Sequence, residues 1–235
     1  MDFMKPFVVP VEARDPERHD LLDLYLPGEI AEPRPAILFV PGGPLPAEVK
    51  PIQRDWPLFQ GYGRLAASRG AVGAVVDHRL YSPDAYAVGA ANVEAALETL
   101  RSDPRVDGSR LALWFFSGGS LLSADWLREP PSWLRALAFN YPLMAPFPGW
   151  PVERRFDPIS AVAEAGDLPI VLTRVGQDNP AILGTVEAFV EAAGKANLEI
   201  VEVPDGHHSF DVVDDTDASR AAVNRVMELV LAKLA

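Results

Sequence analysis

The sequence predicts an α/β protein whose mostly parallel sheet is covered by helices on both faces. Two observations predict this class. Runs typical of strands alternate with runs typical of helices along the chain, as expected of successive βαβ units. The run LALWFF at 111–116 is apolar at every position, which is typical of a central strand with both faces buried. A chain of 235 residues has room for such a sheet, and we expect 1–235 to form one domain.

The first half of the chain supplies four predicted strands and two predicted helices. β-branched and aromatic runs predict strands at 21–27, 36–41, 71–77 and 111–116. A helical pattern covers 56–69, and a stretch rich in Ala, Glu and Leu predicts a helix over 84–101.

The second half repeats the alternation. Strands are predicted at 135–141, 168–175 and 198–203, and helices at 180–195 and 217–234. Asn179 followed by Pro180 is a favourable helix start, with one residue as N-cap and the next at the first helical position. The segment 142–158 contains five prolines and is the least regular part. We expect it to be at most a minimal cap over a binding site, because it is too short to form a lid domain.

Composition excludes several classes of function. The chain has 33 acidic and 21 basic residues, a formal charge of −12, so nucleic acid and anionic membrane surfaces are disfavoured as partners. The absence of cysteine removes disulfides, thiolate metal sites and cysteine nucleophiles. The first residues lack the pattern of a signal peptide, and no apolar run is long enough to insert into a membrane. We expect a cytoplasmic protein, and the sequence leaves the oligomeric state open.

Ser117 stands where the most apolar strand ends. A parallel sheet presents its functional residues at this carboxyl edge. Gly118 and Gly119 allow a tight turn into a following helix, which would lift the serine hydroxyl out of the sheet. The turn therefore predicts a nucleophile, although a glycine turn with an incidental serine fits the same residues.

An acid and a base follow two later strands. Asp178 comes directly after the strand predicted at 168–175, and His207 and His208 follow the last predicted strand. A serine nucleophile needs a histidine base and a carboxylate that orients the imidazole, and these residues occur in the order Ser, Asp, His. Taken singly, the aspartate could be a turn former and either histidine could brace a loop.

Backbone donors for an oxyanion are available in two places. The sequence PGGP at 41–44 follows a predicted strand, so the amides of Gly42 and Gly43 could face the charge that develops on attack. The amide of Gly118, beside the nucleophile, would be a further donor. A plain proline–glycine turn is the alternative interpretation of PGGP.

These motifs resemble those of the α/β-hydrolase superfamily. LWFFSGG is similar to the nucleophile elbow, PGGP to the glycine-rich oxyanion loop, and VGQDNP to the acid loop. DHRLYSPD at 77–84 resembles a motif of the hormone-sensitive-lipase-like esterases. GHHSF resembles the histidine motif of the dienelactone-hydrolase branch, in which the catalytic histidine lies two residues before a phenylalanine. The resemblance therefore implies the α/β-hydrolase fold, with His208 as the catalytic histidine.

Two positions depart from the superfamily pattern. Phe115 replaces the first glycine of the Gly-x-Ser-x-Gly elbow, where the crowded turn usually has a small residue. Pro41 stands where lipase-like relatives commonly have a histidine in the oxyanion loop. Neither change removes a reacting group.

The leading hypothesis is a serine esterase that acts on small or short-acyl esters, with Ser117, His208 and Asp178 as its triad. No metal or organic cofactor is implied. Trp56, Tyr62 and Trp150 are the candidate walls of the substrate pocket. A non-catalytic ligand-binding protein of the same fold and a serine peptidase are the alternatives.

Overall fold

The computed structural model describes residues 3–235, which form an eight-stranded sheet flanked by helices. The strands are β1 (Glu17–Arg18), β2 (Leu22–Tyr25), β3 (Arg34–Val40), β4 (Val72–Val76), β5 (Val106–Phe116), β6 (Leu134–Asn140), β7 (Ile170–Gln177) and β8 (Leu198–His207). The helices are α1 (Pro57–Ser68), α2 (Tyr86–Ser102), α3 (Ala124–Arg128), α4 (Pro158–Ala161), α5 (Pro180–Ala193), α6 (Phe210–Val213) and α7 (Asp217–Leu234). The predicted fold class is confirmed.

The strand order in the sheet is β1-β2-β4-β3-β5-β6-β7-β8. The pairs β1–β2 and β2–β4 are antiparallel, and every other neighbouring pair is parallel. The carboxyl ends of β3 to β8 therefore meet along one edge of the sheet. Every loop that carried a candidate site residue in the sequence leaves from this edge.

Alternating side chains of β5 enter two separate hydrophobic cores. Leu113 and Phe115 face the core beneath α2, α3 and α5, whereas Trp114 and Phe116 face the core beneath α1 and α7. All residues of 111–116 are at most 1% exposed. Burial on both faces explains why this strand lacks the polar alternation of a half-exposed strand.

Local signals in the sequence set several helix boundaries. The side chain of Asn179 accepts a hydrogen bond from the backbone N–H of Ala181, and Pro180 is the first residue of α5. Helix α7 begins in the same way, because the side chain of Thr216 accepts from the backbone N–H of Ser219. Both caps satisfy helix N–H groups that lack an intrahelical partner.

The segment after Ser117 differs from the prediction of a single helix. Ser117–Ser123 forms a 3₁₀ helix, and the α-helical part, α3, is five residues long. The segment 142–157 contains no helix or strand. Its buried residues, among them Leu143, Met144 and Phe156, belong to the core beneath α2 and α5.

No helix within residues 3–235 combines the length and the apolar composition that crossing a membrane requires.

Helix α1 lies against β4 through a contact between two glycines. A Cβ atom added at Gly73 would lie 2.3 Å from the backbone oxygen of Gly63. Backbone cannot retreat as a flexible side chain can, so the helix would have to move away from the sheet.

Gly73→Ala is therefore expected to lower the free energy of unfolding by about 1–3 kcal/mol, the usual cost of overpacking a core. Gly184→Ala in α5 is the matched control, since nothing lies within 4 Å of a Cβ added there. That change should raise stability by about 0.5–1 kcal/mol. Urea unfolding of both variants measures the two effects, and equal stabilities would contradict the tight helix–sheet contact.

Candidate active site

Three polar side chains from three loops form a hydrogen-bonded chain at the carboxyl edge of the sheet. Ser117 directly follows β5, Asp178 follows β7 and His208 follows β8. The Ser117 Oγ atom lies 2.8 Å from His208 Nε2, and His208 Nδ1 lies 2.6 Å from Asp178 Oδ2. The structure thus brings together the three residues that the sequence selected as a triad.

The buried carboxylate of Asp178 fixes the orientation of the His208 imidazole through a hydrogen bond. The Asp178 side chain is 2% exposed and that of His208 is 20% exposed. Asp178 Oδ1 accepts the backbone N–H of Asn179 at 2.7 Å, which leaves Oδ2 to accept from His208 Nδ1–H. With the proton on Nδ1, the lone pair of Nε2 faces the serine hydroxyl. This is the geometry in which a histidine can take the proton of a serine nucleophile.

The backbone of Ser117 is in the left-handed region, with φ of 48°. A residue with a side chain adopts this conformation only when its surroundings hold it there. The carbonyl of Ser117 accepts the backbone N–H of Leu143 at 3.0 Å, and the hydroxyl of Tyr86 donates to the carbonyl of Gly118 at 3.0 Å. These contacts hold the strained turn with its hydroxyl facing His208.

His207 points to a different carboxylate. Its side chain is 60% exposed, and its Nδ1 atom lies 2.9 Å from Asp214 Oδ1. The backbone N–H of His207 also donates to Asp214. Of the two adjacent histidines, only His208 therefore contacts Ser117.

The turn after β5 packs directly against the loop after β3. A Cβ atom at Gly118 would lie 1.8 Å from the carbonyl oxygen of Gly43, and one at Gly119 would lie 2.1 Å from that of Pro41. Gly42 approaches the nucleophile itself, since its added Cβ would be 3.1 Å from Ser117 Cβ. Glycine is needed at 118 and 119 because the two backbones touch.

Two amides of the loop 41–45 are free to bind an anion. Pro41 and Pro44 have no N–H, and the Leu45 N–H donates to the carbonyl of Leu80. Among residues 3–235, no acceptor receives the N–H of Gly42 or Gly43. Both glycines line the same cavity as Ser117.

His78 braces this loop, a role that the sequence did not reveal. Its Nδ1 atom accepts the backbone N–H of Leu80 at 3.0 Å, so Nε2 carries the proton and donates to the Pro41 carbonyl at 2.9 Å. The ring is 2% exposed, and burial lowers the pKa of His78, which favours this neutral form. A histidine after β4 therefore holds the loop in which Pro41 replaces the histidine of the superfamily pattern.

Phe115 fits at this position because its side chain points into the core beneath α2, α3 and α5, on the opposite face of the sheet from the cavity that Ser117 lines. Its ring packs on Phe139 at 5.8 Å and on Trp126 at 5.9 Å between ring centres. The next residue, Phe116, points to the other face and lines the cavity. The close backbone contacts of this elbow are made after the serine, where the sequence has two glycines.

A cavity of about 220 Å³ opens beside Ser117 and His208. Trp56, one of the three candidate pocket walls, lines it. Tyr62 does not, because it is fully buried beneath the cavity, with its hydroxyl bonded to a carboxylate. Trp150 also lies outside the lining, packed edge-to-face on Phe147 at 5.1 Å.

Sequence reasoning missed most of the apolar lining. It consists largely of aromatic and branched side chains brought from five separate parts of the chain: Phe3, Trp56, Leu58, Phe59, Phe116, Tyr141, Val212 and Val213. Phe116 had a usable signal, because it directly precedes Ser117 and must point opposite to Phe115. The others become neighbours only through tertiary packing.

Asp211 is a buried carboxylate beneath the site. It is 0% exposed, and Tyr62, Tyr141 and Asn140 all donate to it, at 2.8, 3.0 and 3.2 Å. Burial raises the pKa of Asp211 to about 6, despite the three donors. No local pattern indicates this role, because Asp211 follows GHHSF as an ordinary loop aspartate would.

Tyr141 connects Asp211 to the histidine. Its ring lies edge-to-face against the His208 ring, with 4.9 Å between ring centres, while its hydroxyl donates to Asp211. The imidazole of His208 is therefore held by the carboxylate of Asp178 on one side and by the Tyr141 ring on another. The bond to Asp211 fixes the position of that ring.

No group of three or more His, Asp or Glu side chains in the described part of the chain is arranged to hold a metal ion.

Comparison with known proteins gives structural but no sequence relatives. No protein-family model and no curated protein matches the sequence. Thermogutta terrifontis esterase 2, phosphoramylated by tabun, superposes with a TM-score of 0.71 at 19% identity, covering 95% of this chain and 94% of that one. The butyrate-bound form of the same esterase gives 0.67 at 21% identity, with coverages of 90% and 88%.

Puromycin hydrolase is a third structural neighbour, with a TM-score of 0.72 at 17% identity. The match covers 93% of this chain but 39% of the puromycin hydrolase chain. At such identities the likeness establishes a shared fold.

The pKa of Asp211 predicts a pH-dependent contribution to stability. Because this pKa lies above the usual value of about 3.9, the folded state holds the proton more tightly than the unfolded state. The resulting stabilisation is present at low pH and is lost as the pH rises through about 6.

Asn at position 211 does not titrate. The free energy of unfolding of the wild type, minus that of Asp211→Asn, should therefore fall by about 1 kcal/mol between pH 5 and pH 7.5. Urea unfolding of both proteins at the two pH values measures this change, and other titrating groups cancel in the comparison. A constant difference would show that Asp211 is ionised throughout.

Proposed function

We propose that this chain, which has the α/β-hydrolase fold, is a serine hydrolase that cleaves small carboxylic esters through an acyl-enzyme. One observation carries the proposal: the unbroken hydrogen-bonded chain from Ser117 through His208 to the buried Asp178. A protein that only binds a ligand has no need for this alignment. A serine that was only part of an ordinary solvated turn would not require the strained, left-handed backbone that Ser117 has.

Ser117 acts as the nucleophile in this mechanism. His208 Nε2 takes the hydroxyl proton while Oγ forms a bond to the ester carbonyl carbon, and the carbonyl oxygen becomes an oxyanion. Asp178 stabilises the imidazolium that results. The same nitrogen then returns the proton to the alcohol, which leaves when its bond to the carbonyl carbon breaks.

The oxyanion is held by backbone amides. Those of Gly42 and Gly43 have no acceptor among residues 3–235, and the amide of Gly118 stands at the start of a 3₁₀ helix, where N–H groups lack partners. Donors fixed before the reaction stabilise developing charge more than mobile water does. Water then repeats the sequence on the acyl-enzyme, with His208 as its base.

The structural neighbours support a small ester as substrate. Esterase 2 has been solved with butyrate bound and with an organophosphorus group attached. The cavity beside Ser117, at about 220 Å³, is smaller than the 300 Å³ or more of sites for drug-sized ligands. A cytoplasmic location and the absence of a nucleic-acid partner remain predictions from the sequence.

Hydrolysis of p-nitrophenyl butyrate by the wild type and by Ser117→Ala tests the reaction class. We expect turnover in the wild type that falls by at least about 10⁴ in the variant, because the nucleophile is lost. A fluorophosphonate probe should label the wild type at Ser117 and leave the variant unlabelled. Folded wild type that neither turns over the ester nor reacts with the probe would contradict the proposal and favour the ligand-binding alternative.

The two histidines give a matched pair of variants. His208→Ala should lower kcat/KM by about 10³-fold or more, because it removes the group that accepts the serine proton. His207→Ala should lower it by less than about fivefold, since it loses only an exposed pair with Asp214. Esterase assays on both variants, with circular dichroism as the folding control, measure the contrast. Equal losses would place the base elsewhere.

A further inference from the structure

The segment of residues 3–9, which we call the N-terminal strap, reaches the cavity beside Ser117. Phe3 lines that cavity and its ring stacks on the Trp56 ring, with 4.3 Å between centres and an angle of 11° between planes. Trp56 is itself fixed, because its Nε1–H donates to the Pro51 carbonyl at 2.9 Å. Two parallel aromatic rings thus stand at one side of the cavity.

The strap is attached to both helices that flank the cavity. Phe7 packs on Tyr62 of α1 at 4.7 Å between ring centres, and a Cβ added at Gly61 would lie 2.3 Å from the Phe7 ring. The Val8 N–H donates to the Asp211 carbonyl of α6 at 3.0 Å. Val8 is 5% exposed. The strap is therefore anchored at Phe7 and Val8, and Phe3 itself rests on the Trp56 ring.

We propose that Phe3, stacked on Trp56, is the end wall of the substrate cavity and sets the largest apolar group that the site accepts. The role of the cavity as a substrate site rests on the proposed function, whereas the position of the wall does not. Phe3 is a specificity-determining residue in this proposal and takes no part in the reaction.

The volume sets the size limit. One water molecule occupies about 30 Å³ in the liquid. A cavity of about 220 Å³ therefore takes about seven non-hydrogen atoms. A linear alkyl chain of up to six or so carbons, or a single aromatic ring, fits this space, whereas a fatty-acyl chain exceeds it and, with Phe3 as the end wall, would meet the Phe3 ring.

The lining sets the chemical class. It contains no Asp, Glu, Lys or Arg among the described residues, and Ser117 and His208 lie among its polar groups. A charged substituent would lose its hydration there without gaining a side chain of opposite charge, and the free amides of Gly42 and Gly43 are taken by the oxyanion in the proposed reaction. The site is therefore suited to a neutral ester whose group on this side of the carbonyl is short and apolar.

Binding of 1-alkanols to Ser117→Ala tests the wall without any reaction. These neutral ligands, from 1-butanol to 1-octanol, report the cavity alone and do not depend on catalysis. Affinity, followed by ligand-detected NMR, should rise about fourfold per methylene until the cavity is filled near 1-hexanol, and then level off.

The double variant Ser117→Ala/Phe3→Ala should move the chain length at which affinity levels off. Without the Phe3 ring, a longer chain can lie on the face of Trp56 that Phe3 had covered. The double variant should therefore bind 1-octanol about tenfold more tightly than Ser117→Ala does. Phe3→Leu should give an intermediate value. Met4→Ala is the control, since Met4 is 51% exposed and lies outside the cavity lining. A limit that stays at 1-hexanol in folded Phe3→Ala and Phe3→Leu would overturn the proposal.

The same substitutions in the active protein connect the wall with turnover. In p-nitrophenyl esters and in alkyl acetates of increasing length, Phe3→Ala should raise kcat/KM for octanoyl or octyl substrates relative to four-carbon ones by about tenfold. The series that responds identifies whether the acyl or the alcohol group occupies the cavity. A shifted alkanol limit without turnover in the wild type would overturn the proposed function and leave the wall established.

Discussion

The backbone of the turn after β5 lies directly against the backbone of the loop after β3, and this contact determines where the serine nucleophile and the loop amides that face it stand. Gly118 meets the Gly43 carbonyl and Gly119 meets the Pro41 carbonyl, with no space for a side chain at either point. On its other side, His78 holds the Pro41 carbonyl. Ser117 is thus kept in an unfavourable backbone conformation by surroundings that leave it no alternative, which is how strained residues persist in folded proteins.

The histidine loop depends on a second constraint, the buried carboxylate of Asp211. Asp178 orients the imidazole through Nδ1, but the ring also rests against Tyr141, and Tyr141 is positioned by its bond to Asp211. Tyr62 donates to the same carboxylate from α1, the helix that also carries cavity residues. The wall of the cavity and the base of the proposed reaction are therefore built on one shared polar group in the core.

The strongest predictions from the sequence concerned features encoded by neighbouring residues. The doubly buried strand 111–116 and the Asn179–Pro180 helix start were visible because burial and capping leave local signatures. Ser117, Asp178 and the pair His207 and His208 could be selected because parallel strands end at one edge, and the family resemblance then chose His208. Asp211 and Phe3 could not, since their partners lie far away in the chain; Tyr62, for instance, is 149 residues from Asp211. Tyr62 and Trp150 were candidate pocket walls by residue type alone, and type does not reveal which way a ring points.

The N-terminal strap is joined to the helices beside the sheet and contributes no strand to it. Phe7 and Val8 are tied to Tyr62 and Asp211, whereas Phe3 contacts Trp56 and the cavity, so one wall of the cavity belongs to a residue outside the network that positions His208. The size of the accepted group and the chemistry are therefore separable: a substitution at Phe3 alters the proposed wall, while the groups that react stay on the loops at the sheet edge.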